Sequence, residues 1–218
     1  MIRSSNFMTY SPNNKSENTA LQDFITILPR IQLYETQSQL AEIPDEIFFA
    51  RVREQLFFEI QKNDKQGAYV GEPTIFTSPI VQTVGVDYYV ARLFKYMYCK
   101  RECYILAMIF LMRFCQAAHI LLCTQNFHRI FIISCTLAVK YHDDIRSNNV
   151  YYAETGGLHL SEFNALEREF IRIVHHHLHV QTELFYYFYE KIIQGAFEDE
   201  KRIIIENSYQ PPVIDILI

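Results

Sequence analysis

Residues 129–144, RIFIISCTLAVKYHDD, have no polar face on a helical wheel until the final turn. Ile130, Phe131, Ile132, Ile133, Cys135, Leu137, Ala138, Val139 and Tyr141 point to every side, and a helix apolar all round belongs at the buried centre of a bundle. The stretch therefore predicts an all-α domain built around this one helix. Asn126 stands ahead of it as an N-cap, its short side-chain oxygen able to accept from the first free backbone N–H groups. Lys140 interrupts the apolar run in the last turn, where a helix presents unpaired carbonyls and partial negative charge. Two roles are open to it. It can satisfy its own helix terminus with the ammonium turned to water, or wait at the rim for another molecule's carbonyls.

Working outward, the hydrophobic pattern predicts more helices. Phe48, Val52, Leu56 and Ile60 recur every fourth residue over 47–61, after Pro44-Asp45. Helical patterns follow over 86–98, 102–116, 127–142, 150–155, 162–175 and 182–193. Gly156 suits a left-handed cap for the short one, and Ser161 suits an N-cap for the next. The last carries a stripe of Phe185, Tyr186, Phe188, Tyr189 and Ile192, read as core cover. Gly67, Gly71, Pro73 and Pro79 predict an extended connector over 66–83, and the polar, aperiodic residues 1–20 predict a mobile tail. The division expected is a mostly mobile region over 1–43, a helix and connector over 44–83, a helical domain over 84–193 and an extension over 194–218. That extension, with Pro211-Pro212, is too short for a second copy of the domain, and no internal repeat is visible.

Composition narrows the function. A chain of 218 residues, 50% hydrophobic, buries one good core. A net charge of −5 and a pI near 5.9 argue against an extended phosphate-binding surface, so nucleic acid is not an expected partner. Five cysteines form an odd set and no apolar leader follows Met1, which disfavours export and points to a reducing compartment, the nucleus or the cytoplasm. The longest apolar run, 103–112, falls short of the roughly 20 residues that span a bilayer, so no membrane association is expected.

Catalytic motifs are missing from the sequence. The six glycines form neither a phosphate-binding loop ending in Lys-Ser/Thr nor a Gly-x-Ser-x-Gly elbow. His175, His176, His177 and His179 suggest zinc, but adjacent histidines point apart and three cannot converge from one regular helix. Cys99 and Cys103 are a lone pair across a helix junction; no metal or cofactor is expected. Asp143, Asp144 and Glu167 leave an acid–base or metal site as the rival enzyme reading. The simpler reading makes Asp143-Asp144 a solvated loop and Glu167 the partner of Lys140. Two aspartates at a helix C-terminus oppose its dipole, which hints at a role outside the helix, such as meeting basic residues on a partner.

The run NFHRIFIISCTLAVKYHDD followed by NNVYYAETGGLHLSEFNALEREFI resembles the cyclin box, in particular that of the P/U-type single-box cyclins, known to us from fungi and protozoa. The residues carrying the likeness are His128-Arg129 opening the central helix, Ala138-x-Lys140 ending it, Tyr152-Ala153 with Gly156-Gly157, and Leu166-Glu167-x-x-Phe170. The resemblance implies a helical bundle around a central buried helix, with an extra helix N-terminal to the box. It also implies a non-catalytic subunit that binds a cyclin-dependent protein kinase and holds its PSTAIRE-type αC helix in the active position. Lys140 and Glu167 would then hydrogen-bond backbone groups of that kinase helix. Leu137, Tyr141, Ile171 and Leu178 would form the apolar pocket, with Asp143 and Asp144 as further contacts; no small-molecule substrate is implied. The alternative is a cyclin-fold interaction module without a kinase. Two departures stand out. Family members carry Asp just before the second-helix arginine, where this chain has Leu111-Met112-Arg113, so the first-helix Arg92, which that carboxylate would pair with, is expected to find another partner, such as a nearby carboxylate, or to turn outward. His176 replaces a usual aromatic residue, which would make the pocket more polar.

Overall fold

The computed structural model describes residues 43–65, 74–78 and 84–194. The tail expected over 1–20, most of the connector over 66–83 and nearly all of the extension over 194–218 lie outside the described residues. Among the described residues there are seven helices and no strand: α1 (Asp45–Lys65), α2 (Val86–Tyr96), α3 (Arg101–Ala117), α4 (Phe127–His142), α5 (Asn149–Gly156), α6 (Leu160–Ile173) and α7 (Thr182–Gln194). The fold is the all-α bundle that the resemblance implies.

Helix α4 is the centre. From Phe127 to Val139 every residue except Arg129 is buried, and burial on all sides requires neighbours on all sides. Helices α2, α3, α5 and α6 supply them, α3 making the most extensive pairing. Helix α1 packs on α2 and α7 instead, placing it beside the four-helix jacket. Ser134, deep in α4, returns its hydroxyl to the Ile130 carbonyl at 2.8 Å, so this buried polar group is satisfied within its own helix.

The described part of the connector is pinned to this core. Phe76 is fully buried, its ring 4.5 Å from that of Phe114 and 6.3 Å from that of Phe170, and these two stack at 4.5 Å. Aromatic packing of this kind adds about 0.5–1.5 kcal/mol per pair beyond the area it buries. The backbone follows: Ser78 donates its N–H to the Gln125 carbonyl at 2.8 Å.

Three local expectations are corrected. Asn126 does sit at the N-cap position of α4, but in a helical conformation and without a capping bond. Its side chain turns back instead, accepting from the Cys123 N–H and donating to the Leu121 carbonyl, each at 2.9 Å. Ser161 lies inside α6, whose N-cap is His159. The left-handed cap of α5 is Gly157, with φ of 71°, and not Gly156. Gly156 is needed for a different reason: a Cβ there would meet Cγ1 of the buried Ile132 at 2.8 Å. Glycine lets α5 lie flat on α4.

The adjacent glycines thus predict separable losses. Gly156→Ala should destabilise the fold by about 1–3 kcal/mol through overpacking, and Gly157→Ala by about 1 kcal/mol through left-handed strain. Urea unfolding measures both; a neutral Gly156→Ala would contradict the close approach of α5 to α4.

Candidate partner-binding face

Tyr89, His128 and Arg129 fix the entry to α4. The Tyr89 hydroxyl lies 3.1 Å from the His128 carbonyl and 3.3 Å from the Gly156 carbonyl, tying α2 to α4 and α5. His128 Nε2 donates to the Val84 carbonyl at 2.9 Å; a carbonyl only accepts, so this nitrogen carries the proton. Burial lowers the His128 pKa from its ordinary 6.5, opposed by the Val84 and Thr124 carbonyls. Arg129 donates to the carbonyls of Ile75 and Thr77, each at 2.9 Å, and to the Glu162 carboxylate. One guanidinium thereby joins the connector, α4 and α6. The His-Arg pair that opens the central helix is a clamp.

The far end of α4 carries the predicted contact residues. Lys140 Nζ meets Glu167 Oε1 at 2.5 Å, bringing together residues 27 apart in sequence. The bland role for Lys140 is taken by another residue, because Arg146 donates to the Lys140 carbonyl at 2.8 Å and caps the helix end. The lysine side chain is therefore free to reach α6. Glu167's other oxygen accepts from Asn149 Nδ2 at 2.9 Å, and the same amide donates to Asn164 Oδ1 at 2.8 Å. The bridge is oriented from both sides. It is also asymmetric: the Glu167 side chain is 14% exposed and that of Lys140 30%, so the cation is the half offered to solvent.

The apolar set divides. Tyr141 is 46% exposed, its ring edge-on to Phe110 at 6.0 Å. Ile171 and Leu178 are half-buried against the core, and Leu137 is buried, lying under the surface as floor. Asp143 is half-buried directly after α4, its N–H bonded to the Val139 carbonyl at 2.9 Å, and Asp144 is exposed. Both oxygens of Glu167 have partners, which leaves the rival acid–base trio without a free carboxylate at its centre. Among the described residues no three His, Cys, Asp or Glu side chains converge as metal ligands. The histidines 175–177 and 179 are exposed and follow the end of α6, with His175 and His176 left-handed at φ of 50° and 61°; the i,i+4 helical spacing of His175 and His179 does not arise. His176 is exposed and its ring does not make the pocket polar from within.

Arg92 finds another partner, as expected: it donates to the Glu154 backbone carbonyl at 3.1 Å, an exposed bond to a carbonyl and not to a carboxylate. Sequence reasoning also missed Asn149, Asn164 and Arg146. The spacing of Asn164 and Glu167, three apart on one helix, was the available signal for the first pair; Arg146 offers none, because its role depends on the path of a loop.

A central helix buried by four others, opened by a His-Arg clamp and closed by a Lys–Glu bridge, defines a cyclin-box bundle. A model of the Cyclin family matches residues 14–178, and the chain belongs to that family. Its relatives include cyclin-U4-3 of Arabidopsis thaliana, 31% identical over 150 residues, 68% of this chain and 68% of that protein. Cyclin-P3-1 of Oryza sativa subsp. japonica is 34% identical over 112 residues, 51% of this chain and 48% of the relative. Cyclin-U3-1 of Arabidopsis thaliana is 34% identical over 113 residues, 52% of this chain and 51% of the relative. The chain thus spans about half the length of several curated relatives. These are P- and U-type cyclins, the type that the sequence motifs resemble, here from plants.

The clamp predicts a pH dependence. Between the lowered His128 value and 6.5 the unfolded chain binds more protons than the folded one, so stability is lost as pH falls through that window. Urea unfolding from about pH 7.5 to about pH 5.5 should show a shallower decline for His128→Gln than for the wild type. An unchanged pH slope would contradict the clamp.

Proposed function

We propose that this chain is a non-catalytic regulatory subunit that binds a cyclin-dependent protein kinase through the face at the C-terminal ends of α4 and α6. The observation that carries the reading is the Lys140–Glu167 bridge, held from behind by Asn149 and beside exposed Tyr141. An incoming helix presents carbonyls at one end and N–H groups at the other. An ammonium and a carboxylate side by side match both kinds of group. Tyr141, Ile171 and Leu178 supply the apolar anchor over Leu137, and a buried anchor with a charged rim is a common way to hold a helix. Asp143 and Asp144 extend the rim with negative charge suited to basic residues on the kinase.

The mechanism is a shift of population. Phosphoryl transfer requires the kinase's catalytic lysine to pair with the glutamate of its αC helix. A partner that binds only the conformation in which that helix is turned inward stabilises the active state by its differential affinity. Nothing in this scheme asks chemistry of the cyclin itself, in keeping with its family and with the occupied Glu167 carboxylate.

Lys140→Ala is expected to weaken kinase binding by about 2–5 kcal/mol, since partner groups desolvated at the interface lose their donor. The fold itself should change by about 1 kcal/mol or less, as for other partly exposed bridges. Co-purification with PSTAIRE-type kinases and histone phosphorylation by the complex measure the effect. Undiminished capture and activity would contradict the assignment.

A further inference from the structure

Arg113 belongs to the segment where the family's carboxylate is replaced by Met112. Among the described residues it forms no ion pair, although burial lowers the pKa of its guanidinium and only the nearby Tyr141 phenol opposes this. Its hydrogen bonds go elsewhere. The two hydrogens of Nη1 reach the carbonyls of His177 at 3.1 Å and His179 at 2.8 Å. Those carbonyls flank Leu178, so a single amino group pins the peptide on both sides of that residue.

The pinned segment needs holding. His175 and His176 adopt successive left-handed conformations, φ of 50° and 61°, which L side chains adopt against steric resistance. A turn of this kind persists where its surroundings over-determine it. The backbone bonds within it are short-range, from His175 to Arg172, His176 to Ile171 and His177 to Val174, and tie it to the end of α6. Arg113 ties the following residues to α3. It lies one turn beyond Phe110 on α3, and Phe110 is the ring against which Tyr141 packs.

We propose that Arg113 is the positioning residue of the partner-binding face, fixing the segment after the strained His175–His176 turn and with it the place of Leu178, which packs against the core. The proposal rests on the kinase-binding reading for its functional consequence, but its structural claim stands apart. Leu178 follows the end of α6, and the Arg113 bonds hold the peptide on both sides of it.

Arg113→Met removes the donors while keeping a long apolar side chain. In the free chain, amide hydrogen exchange at 177–180 should accelerate about tenfold or more, with α4 protection retained. Capture of the kinase held by the wild type should fall by about tenfold or more. Adding His176→Gly relieves the left-handed strain and should restore part of both quantities, a recovery that a general loss of stability would not show. Unchanged exchange in the turn, or a uniform loss across α3 and α4 that His176→Gly does not repair, overturns the proposal. If the wild-type chain captures no kinase, the functional reading falls, and the exchange data still decide the role of Arg113.

Discussion

A helix without a polar face has to be enclosed, and the enclosure of α4 determines the rest of the bundle. Four helices close around it, and each must solve a packing problem to come close enough. α5 does so with a bare glycine against Ile132. The connector does so by inserting Phe76 between Phe114 and Phe170. In the last turn of α4 the enclosure ends, and there Lys140 and Tyr141 reach the surface together. The position of the proposed partner-binding face thus follows from where the burial ends.

Arginine holds the structure around this centre. Arg51, Arg92, Arg101, Arg113, Arg129 and Arg146 all donate to backbone carbonyls, those of Ile192, Glu154, Ile43, His177 and His179, Ile75 and Thr77, and Lys140. Loops and helix ends leave such carbonyls unpaired, and a planar, multiply donating cation satisfies them at a distance. The guanidinium groups are therefore engaged with this chain's own backbone.

The legible part of the sequence was the part written in long periods. The bounds of α4 emerge at 127–142 because its apolar run is unbroken, and Lys140 with Glu167 emerges because the motif spacing marks both. What stayed hidden depends on atoms brought together by tertiary packing. Gly156 and Gly157 look alike in sequence, and which one turns left-handed depends on which one presses on Ile132. Asn126 resembles a cap, but the preceding turn offers its side chain better partners. Arg92 finds a carbonyl on α5 that no pattern in the sequence could specify. The exposure of Tyr141 and the burial of Leu137, four residues apart, likewise depend on how the neighbouring helices cover the end of α4.

The central claim is that the uncovered end of α4 receives a helix from a protein kinase. Replacing Tyr141 with a photoreactive phenylalanine analogue and irradiating the purified complex tests it directly. Cross-linked peptides should map to the kinase's αC helix. An intact complex that cross-links only to other kinase segments, or to none, would contradict the account.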